Sequence, residues 1–143
     1  MRSYLLDLSG FATCLCLAVA CNKSSSPAQN MVVGTWEIRS VATDSNHNNI
    51  ADSNEMWNGF YLANNLTTFS ANGTGYTGAY LGGTIPFVWA LAQNSTYINI
   101  LYSGTSRVQD LRILTINSAT LILKDTANQN YLGGPLIETY VKH

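Results

Sequence analysis

The sequence predicts an all-β protein: an antiparallel, up-and-down barrel of about eight strands. Three observations carry this prediction. Short runs rich in β-branched and aromatic residues recur at close, regular spacing, separated by turn clusters such as Asn72-Gly73, Gln93-Asn94-Ser95 and Asn117-Ser118. Several runs alternate with the two-residue period of a strand, and none shows a sustained helical period. Closing such a meander into a barrel removes its edge strands. A sandwich of two sheets has the same local signature and is the alternative.

The chain has 143 residues, which suits one domain, a net charge of −1 and only 10% charged residues. It contains no basic run, so phosphate attraction has no source and a nucleic-acid partner is not expected. All three cysteines, Cys14, Cys16 and Cys21, lie in the first 21 residues. None is left to staple or arm the later chain.

Residues 1–20 read as a secretory signal. Arg2 is followed by a mostly apolar run from Phe11 to Ala20, too short to span a bilayer of roughly 30 Å. Leu17-Ala18-Val19-Ala20-Cys21 resembles the lipobox of bacterial lipoproteins, with Ala18 where leucine is usual. The resemblance implies cleavage before Cys21, acylation of its sulfur and a lipid bilayer as partner, in the bacterial cell envelope. Each buried acyl methylene adds about 0.8 kcal/mol, so several chains anchor stably where one does not. The other reading is an ordinary signal peptide cut near Ala20 with Cys21 free. Residues 21–31, with the serine- and proline-containing stretch Asn22–Asn30, read as a flexible tether. The barrel domain is then 32–143.

The first strand is Val32–Val41. Trp36 and Ile38 share a face with Gly34 and Ser40, and Glu37 and Arg39 face the other way. Trp36 reads as a core tryptophan, and as a plug at one end of the barrel if Gly34 leaves room for neighbouring backbone. Met56–Leu62 is too short for periodicity to choose between strand, helical turn and lid. Leu66–Ser70 and Thr74–Tyr80 flank Asn72-Gly73, a hairpin in which Asn-Gly supplies positive φ angles. Gly75 and Gly78 point to strong coiling or a bulge. Ile85–Leu91 follows, with Phe87, Trp89 and Leu91 as its bulky set. Thr96–Tyr102 returns with Ile98, Ile100 and Tyr102 together. Arg107–Leu114 places Leu111 and Ile113 on one face, and Thr120–Lys124 places Leu121 and Leu123 inward. The last strand is Leu136–Val141, after the break at Gly133-Gly134-Pro135.

The polar stretch Thr43–Glu55 offers alternating oxygen ligands at Asp44, Asn46, Asn48, Asp52 and Glu55. It is similar to the calcium loops of thrombospondin type 3 repeats, with asparagines at two usual aspartates and Asn49 at the usual glycine. Calcium takes six to eight hard oxygens. The competing reading is a self-bonded Asx-rich loop joining two strands. His47, among asparagines, reads as a solvated side chain.

Gly34-Thr35-Trp36 resembles the glycine-x-tryptophan signature of lipocalins. Thr68–Gly75, Phe87–Leu91, Ile113–Thr115 with Thr120–Asp125, and the Tyr140-containing last strand resemble small lipocalin-like lipoproteins of Bacteroidetes-type bacteria. The resemblance covers roughly residues 32–142. It implies a ligand-binding barrel with Trp36, Phe69, Tyr76, Phe87, Trp89 and Tyr102 at its interior or mouth, holding a small apolar or amphipathic ligand. Those aromatics could equally fill a barrel of this size. The chain would then be an interaction lipoprotein that contacts envelope proteins or glycans through surface aromatics such as Trp57, Phe60 and Tyr61. Asp110, Asp125 and Glu138 are scattered, no phosphate loop is present, and no nucleophile is accompanied by a base. An enzyme is not expected.

Overall fold

The computed structural model describes residues 26–57, 65–79, 82–127 and 134–143. Eight strands form a closed antiparallel barrel in chain order: β1 (Gly34–Thr43), β2 (Leu66–Phe69), β3 (Thr74–Gly78), β4 (Thr84–Ala92), β5 (Tyr97–Tyr102), β6 (Val108–Ile116), β7 (Thr120–Asp125) and β8 (Leu136–Lys142). β8 pairs with β1, so the sheet is a closed barrel rather than a sandwich. The signal, Cys21 and the first part of the tether lie outside the described residues, as do Phe60 and Tyr61.

The end of the expected tether is folded. Pro27–Val32 forms a short helix, α1, started by Ser26, whose hydroxyl accepts the Gln29 amide at 3.1 Å. Pro27 sits in the first turn, where a missing N–H costs nothing. Val32 is fully buried, and its carbonyl accepts the Trp36 indole N–H at 2.7 Å. Trp36 is therefore a core residue tied to the helix that enters beneath it. Gly34 (φ +135°) makes room for the Lys142 side chain, not for backbone. The Lys142 ammonium lies 4.3 Å from the Trp36 ring centre and donates to the Val33 carbonyl at 2.6 Å.

Strand alternation fills this end of the barrel. Phe69, Phe87, Trp89, Ile98, Ile100, Leu111, Leu121 and Leu123 all point inward and are buried. Phe69 packs against Phe87 and Trp89 with ring centres 5.4 and 5.3 Å apart, in tilted and edge-on geometry. Burying each such ring contributes about 1.5–3 kcal/mol. Gly75 is required here, because a Cβ on it would run into the Phe87 ring and the Thr68 carbonyl.

Two bulges change which residues face inward. Between Ile38 and Ser40 the register with β8 slips by one, so Ile38 opposes Tyr140, Ser40 opposes Thr139 and Val41 opposes Glu138. Ser40 therefore leaves the Trp36 face and Val41 takes its place, because an inserted residue inverts a period of two. A second bulge between Ile113 and Thr115 does the same on β6 and sets Ile116 opposite Leu121. The Asn72-Gly73 turn also departs from expectation. Only Gly73 has positive φ, and the Asn72 side chain accepts from the Thr74 amide and hydroxyl at 3.1 and 2.7 Å. The result is a turn closed by a left-handed glycine, with the asparagine acting through its side chain.

Candidate functional site

The barrel interior changes character away from α1. At the ends of β5, β6, β7 and β8 the inward positions are Tyr102, Gln109, Asp125, Glu138 and Tyr140. On the facing strands Thr67 and Thr77 oppose each other, with hydroxyl oxygens 2.9 Å apart. All of these except Asp125 line an internal cavity of about 160 Å³. Phe69, Ile100, Leu111 and Leu123 give it an apolar floor. Thr67, Thr77, Tyr102, Gln109, Glu138 and Tyr140 give it a polar wall. A second hollow of about 220 Å³ shares Tyr102 and Gln109 with it and continues past Thr105, Arg107 and Asp125. The cavity therefore leads outward between β5, β6 and β7.

Two hydrogen-bonded pairs organise the polar wall. The Tyr140 hydroxyl donates to Glu138 Oε2 at 2.8 Å, and Gln109 Nε2 donates to Asp125 Oδ2 at 2.7 Å. Burial pushes the Glu138 carboxyl up; the Tyr140 hydrogen bond opposes this and the Asp125 charge adds to it. The surface Glu138 retains is the wall of the cavity. Burial also pushes the Tyr102 hydroxyl up to about 12, with the charges of Glu138 and Asp125 adding to the effect. Tyr140 is raised in the same direction by burial, then by Glu138. The site therefore stores uncharged hydrogen-bonding groups beside a carboxyl that is costly to ionise.

Of the six aromatics expected at the interior or mouth, Trp36, Phe69, Phe87 and Trp89 are packed into the closed end, and Phe69 also reaches the cavity floor. Tyr102 stands at the cavity, its ring 5.7 Å from that of Phe87. Tyr76 is not in the interior. It is 45% exposed on the outer face of β3, because the inward places on either side belong to Gly75 and Thr77. Trp57 is no free surface aromatic either. It is half-buried against the core, and its indole donates to Thr43 Oγ1 at 2.9 Å.

The acidic loop after β1 covers the outside of the barrel. Lys124, outward on β7, places its ammonium 2.5 Å from Asp44 and 2.8 Å from Asn49 Oδ1. Asn49 takes the left-handed conformation (φ 63°) that its position required. Asp52 Oδ2 accepts from the side-chain amides of Asn46 and Asn48, both at 2.9 Å, and Glu55 Oε1 accepts the Ser45 amide at 2.9 Å. Asn46 Oδ1 and Asn48 Oδ1 are taken by the amides of Asn48 and Ile50. Glu55 Oε2 alone among the described side-chain atoms is buried with no hydrogen-bond partner. One unpartnered oxygen does not make a calcium shell of six to eight. As arranged, the donor set fits a loop bonded to itself and to a lysine, not a metal ion.

Glu138, Tyr140, Gln109 and Asp125 carry the site, and the sequence reading did not select them. Their signal was a polar residue on the inward phase of a strand otherwise apolar inside, visible at Glu138 and Tyr140 once β8 is in register.

The fold has a solved counterpart. The chain is similar to a DUF4847 family protein from Bacteroides vulgatus, with a TM-score of 0.55 and 15% sequence identity over 79% of this chain and 94% of that one. At that identity the likeness concerns the barrel fold. No family model and no curated protein matches the chain.

Proposed function

We propose that the chain is a lipocalin-like binding module of the bacterial cell envelope that holds a small amphipathic ligand in the cavity opposite α1. The observation that carries the reading is the division of the barrel interior: aromatic packing shuts one end, and polar side chains surround an internal space at the other. Ligand sites typically combine an apolar lining with a few convergent polar groups, as here. At about 160 Å³ the cavity is below the usual range of roughly 300–1,000 Å³ for drug-sized ligands. The ligand is therefore small, or enters by one end and leaves the rest in the hollow beside Asp125. The role is binding, not catalysis.

Acylation of Cys21 is part of the same proposal. Five residues lie between Cys21 and Pro27, so six residue steps give a reach of at most about 20 Å. An anchor there sets the α1 end toward the bilayer and the cavity away from it. Native mass spectrometry of the mature protein, released gently from the envelope, tests the reading: an adduct of small-molecule mass is expected. A bare mass, together with no saturable uptake of added amphiphiles, overturns it.

The outer surface favours a second reading. Val88 opposes Leu101, which opposes Val108, and Val88 and Val108 are 52% and 46% exposed. This apolar stripe crosses β4, β5 and β6 and would suit an envelope partner. Crosslinking in intact cells that returned only the protein itself would exclude it.

A further inference from the structure

We propose that the ligand head recognised in this cavity is a cationic amine, held by the Glu138 carboxylate with help from Tyr102, Tyr140 and Gln109. The inference rests on the binding-module reading above and adds the chemical class of the ligand.

The titratable groups facing Glu138 are Tyr140 on its own strand, Asp125 on β7 and Tyr102 on β5; β6 contributes Gln109, and β1 opposes Glu138 with Val41. All the ionisable members are acids. The described cations are committed elsewhere. Lys124 is outside on Asp44, Lys142 is at the α1 end on the Val33 carbonyl, and Arg39 pairs with Glu37 at 2.8 Å. Arg112 is exposed on the outer face of β6. Arg107 lines the neighbouring hollow, and its guanidinium donates to the Ala127 carbonyl at 3.4 Å. A carboxyl has thus been placed in a barrel interior with no described cation facing it. A buried carboxylate is stable only when paired or neutral, so the missing partner is a positive charge that comes and goes.

Shape and donor count agree. A primary ammonium is compact and carries three donors and no acceptor. The wall offers acceptors in the Glu138 carboxylate, the Tyr102 and Thr67–Thr77 hydroxyls, and the Gln109 oxygen, whose amide nitrogen is already given to Asp125. The apolar floor takes the attached carbon chain. A carboxylate head would meet the Asp125 charge with like sign and find no described cation facing it. When the ammonium arrives, a protonated Glu138 gives its proton to solvent, so amine binding weakens as pH falls.

Calorimetric titration of the mature protein with n-hexylamine, n-hexanol and n-hexanoate, in wild type and in Glu138→Gln, decides the matter. Hexylamine should bind wild type about tenfold or more tighter than hexanol, the margin of a charge-assisted hydrogen bond, with hexanoate weakest. In Glu138→Gln the preference for amine over hexanol should collapse, and saturable hexanol binding that persists shows that the cavity has survived the substitution. Repeating the amine titration at mildly acid pH in two buffers of different ionisation heat should reveal proton release. Equal or tighter binding of hexanol or hexanoate, or an amine preference kept by Glu138→Gln, overturns the amine assignment and leaves the binding module standing. Binding of none of the three overturns both.

Discussion

The Lys124 ammonium meets the Asp44 carboxylate at 2.5 Å on the outside of the barrel, with both side chains almost fully shielded from solvent. Eighty residues apart in sequence, they fasten the connection after β1 onto β7. Removing one partner should leave a buried, uncompensated charge. Asp44→Asn or Lys124→Met should each cost about 3–5 kcal/mol in urea unfolding, and Asp44→Asn combined with Lys124→Met should recover much of that loss.

The same pair sets an acid limit. Burial opposes the Asp44 charge, but the hydrogen bond and charge of Lys124, with the Asn49 and Asn48 amides, hold its carboxyl below the ordinary 3.8. A depressed carboxyl stabilises the fold above its unfolded value and loses that contribution as pH falls through the folded one. The stability gap between wild type and Asp44→Asn should therefore be constant from neutral pH down to about 3.8 and close only below it.

Calcium offers a separate check on the loop. With a lysine serving as cation to Asp44 and the Asn46, Asn48 and Asp52 side chains bonded to one another, millimolar calcium should not move the thermal midpoint. A rise that chelator reverses would mean that the loop rearranges around an ion, with Glu55 Oε2 the first candidate ligand.

At Glu138 the sign is opposite. Burial raises its carboxyl above the ordinary 4.5, so as pH climbs past 4.5 the unfolded chain sheds its proton first and the fold loses stability. Glu138→Gln removes that penalty and still accepts from Tyr140. It should be more stable than wild type at neutral pH and no more stable near pH 4, by urea midpoints at the two pH values. A binding residue that costs stability is the expected trade.

Gly75→Ala should destabilise by about 1–3 kcal/mol, because the new methyl must displace the Phe87 ring or the Thr68 carbonyl. Gly82→Ala meets no atom within 4 Å and should cost only about 1 kcal/mol, for its positive φ of 89°. Comparing the two in denaturant separates packing from backbone strain.

Much of the barrel was legible in order. Strand runs, turn residues and the inward sets Phe87-Trp89-Leu91 and Ile98-Ile100-Tyr102 depend on local alternation, which a sequence displays directly. Ser40 and Val41 were not legible, because a bulge inverts the phase beyond it and its position depends on the partner strand. Tyr76 was misplaced because the resemblance implied an inward aromatic, whereas the inward places beside it belong to Gly75 and Thr77 and the Phe87 ring occupies the space over Gly75.

The sequence by itself determined the composition of the strands, their order and the absence of a chain-wide helical pattern. Period and turn chemistry are properties of neighbours along the chain. The tertiary structure alone decided which end of the barrel is shut, that Lys124 is the partner of Asp44, and that Glu138, Tyr140, Tyr102 and Gln109 share one cavity. Those relations join residues dozens of positions apart through strand register and barrel closure, and no local pattern encodes the distance between them.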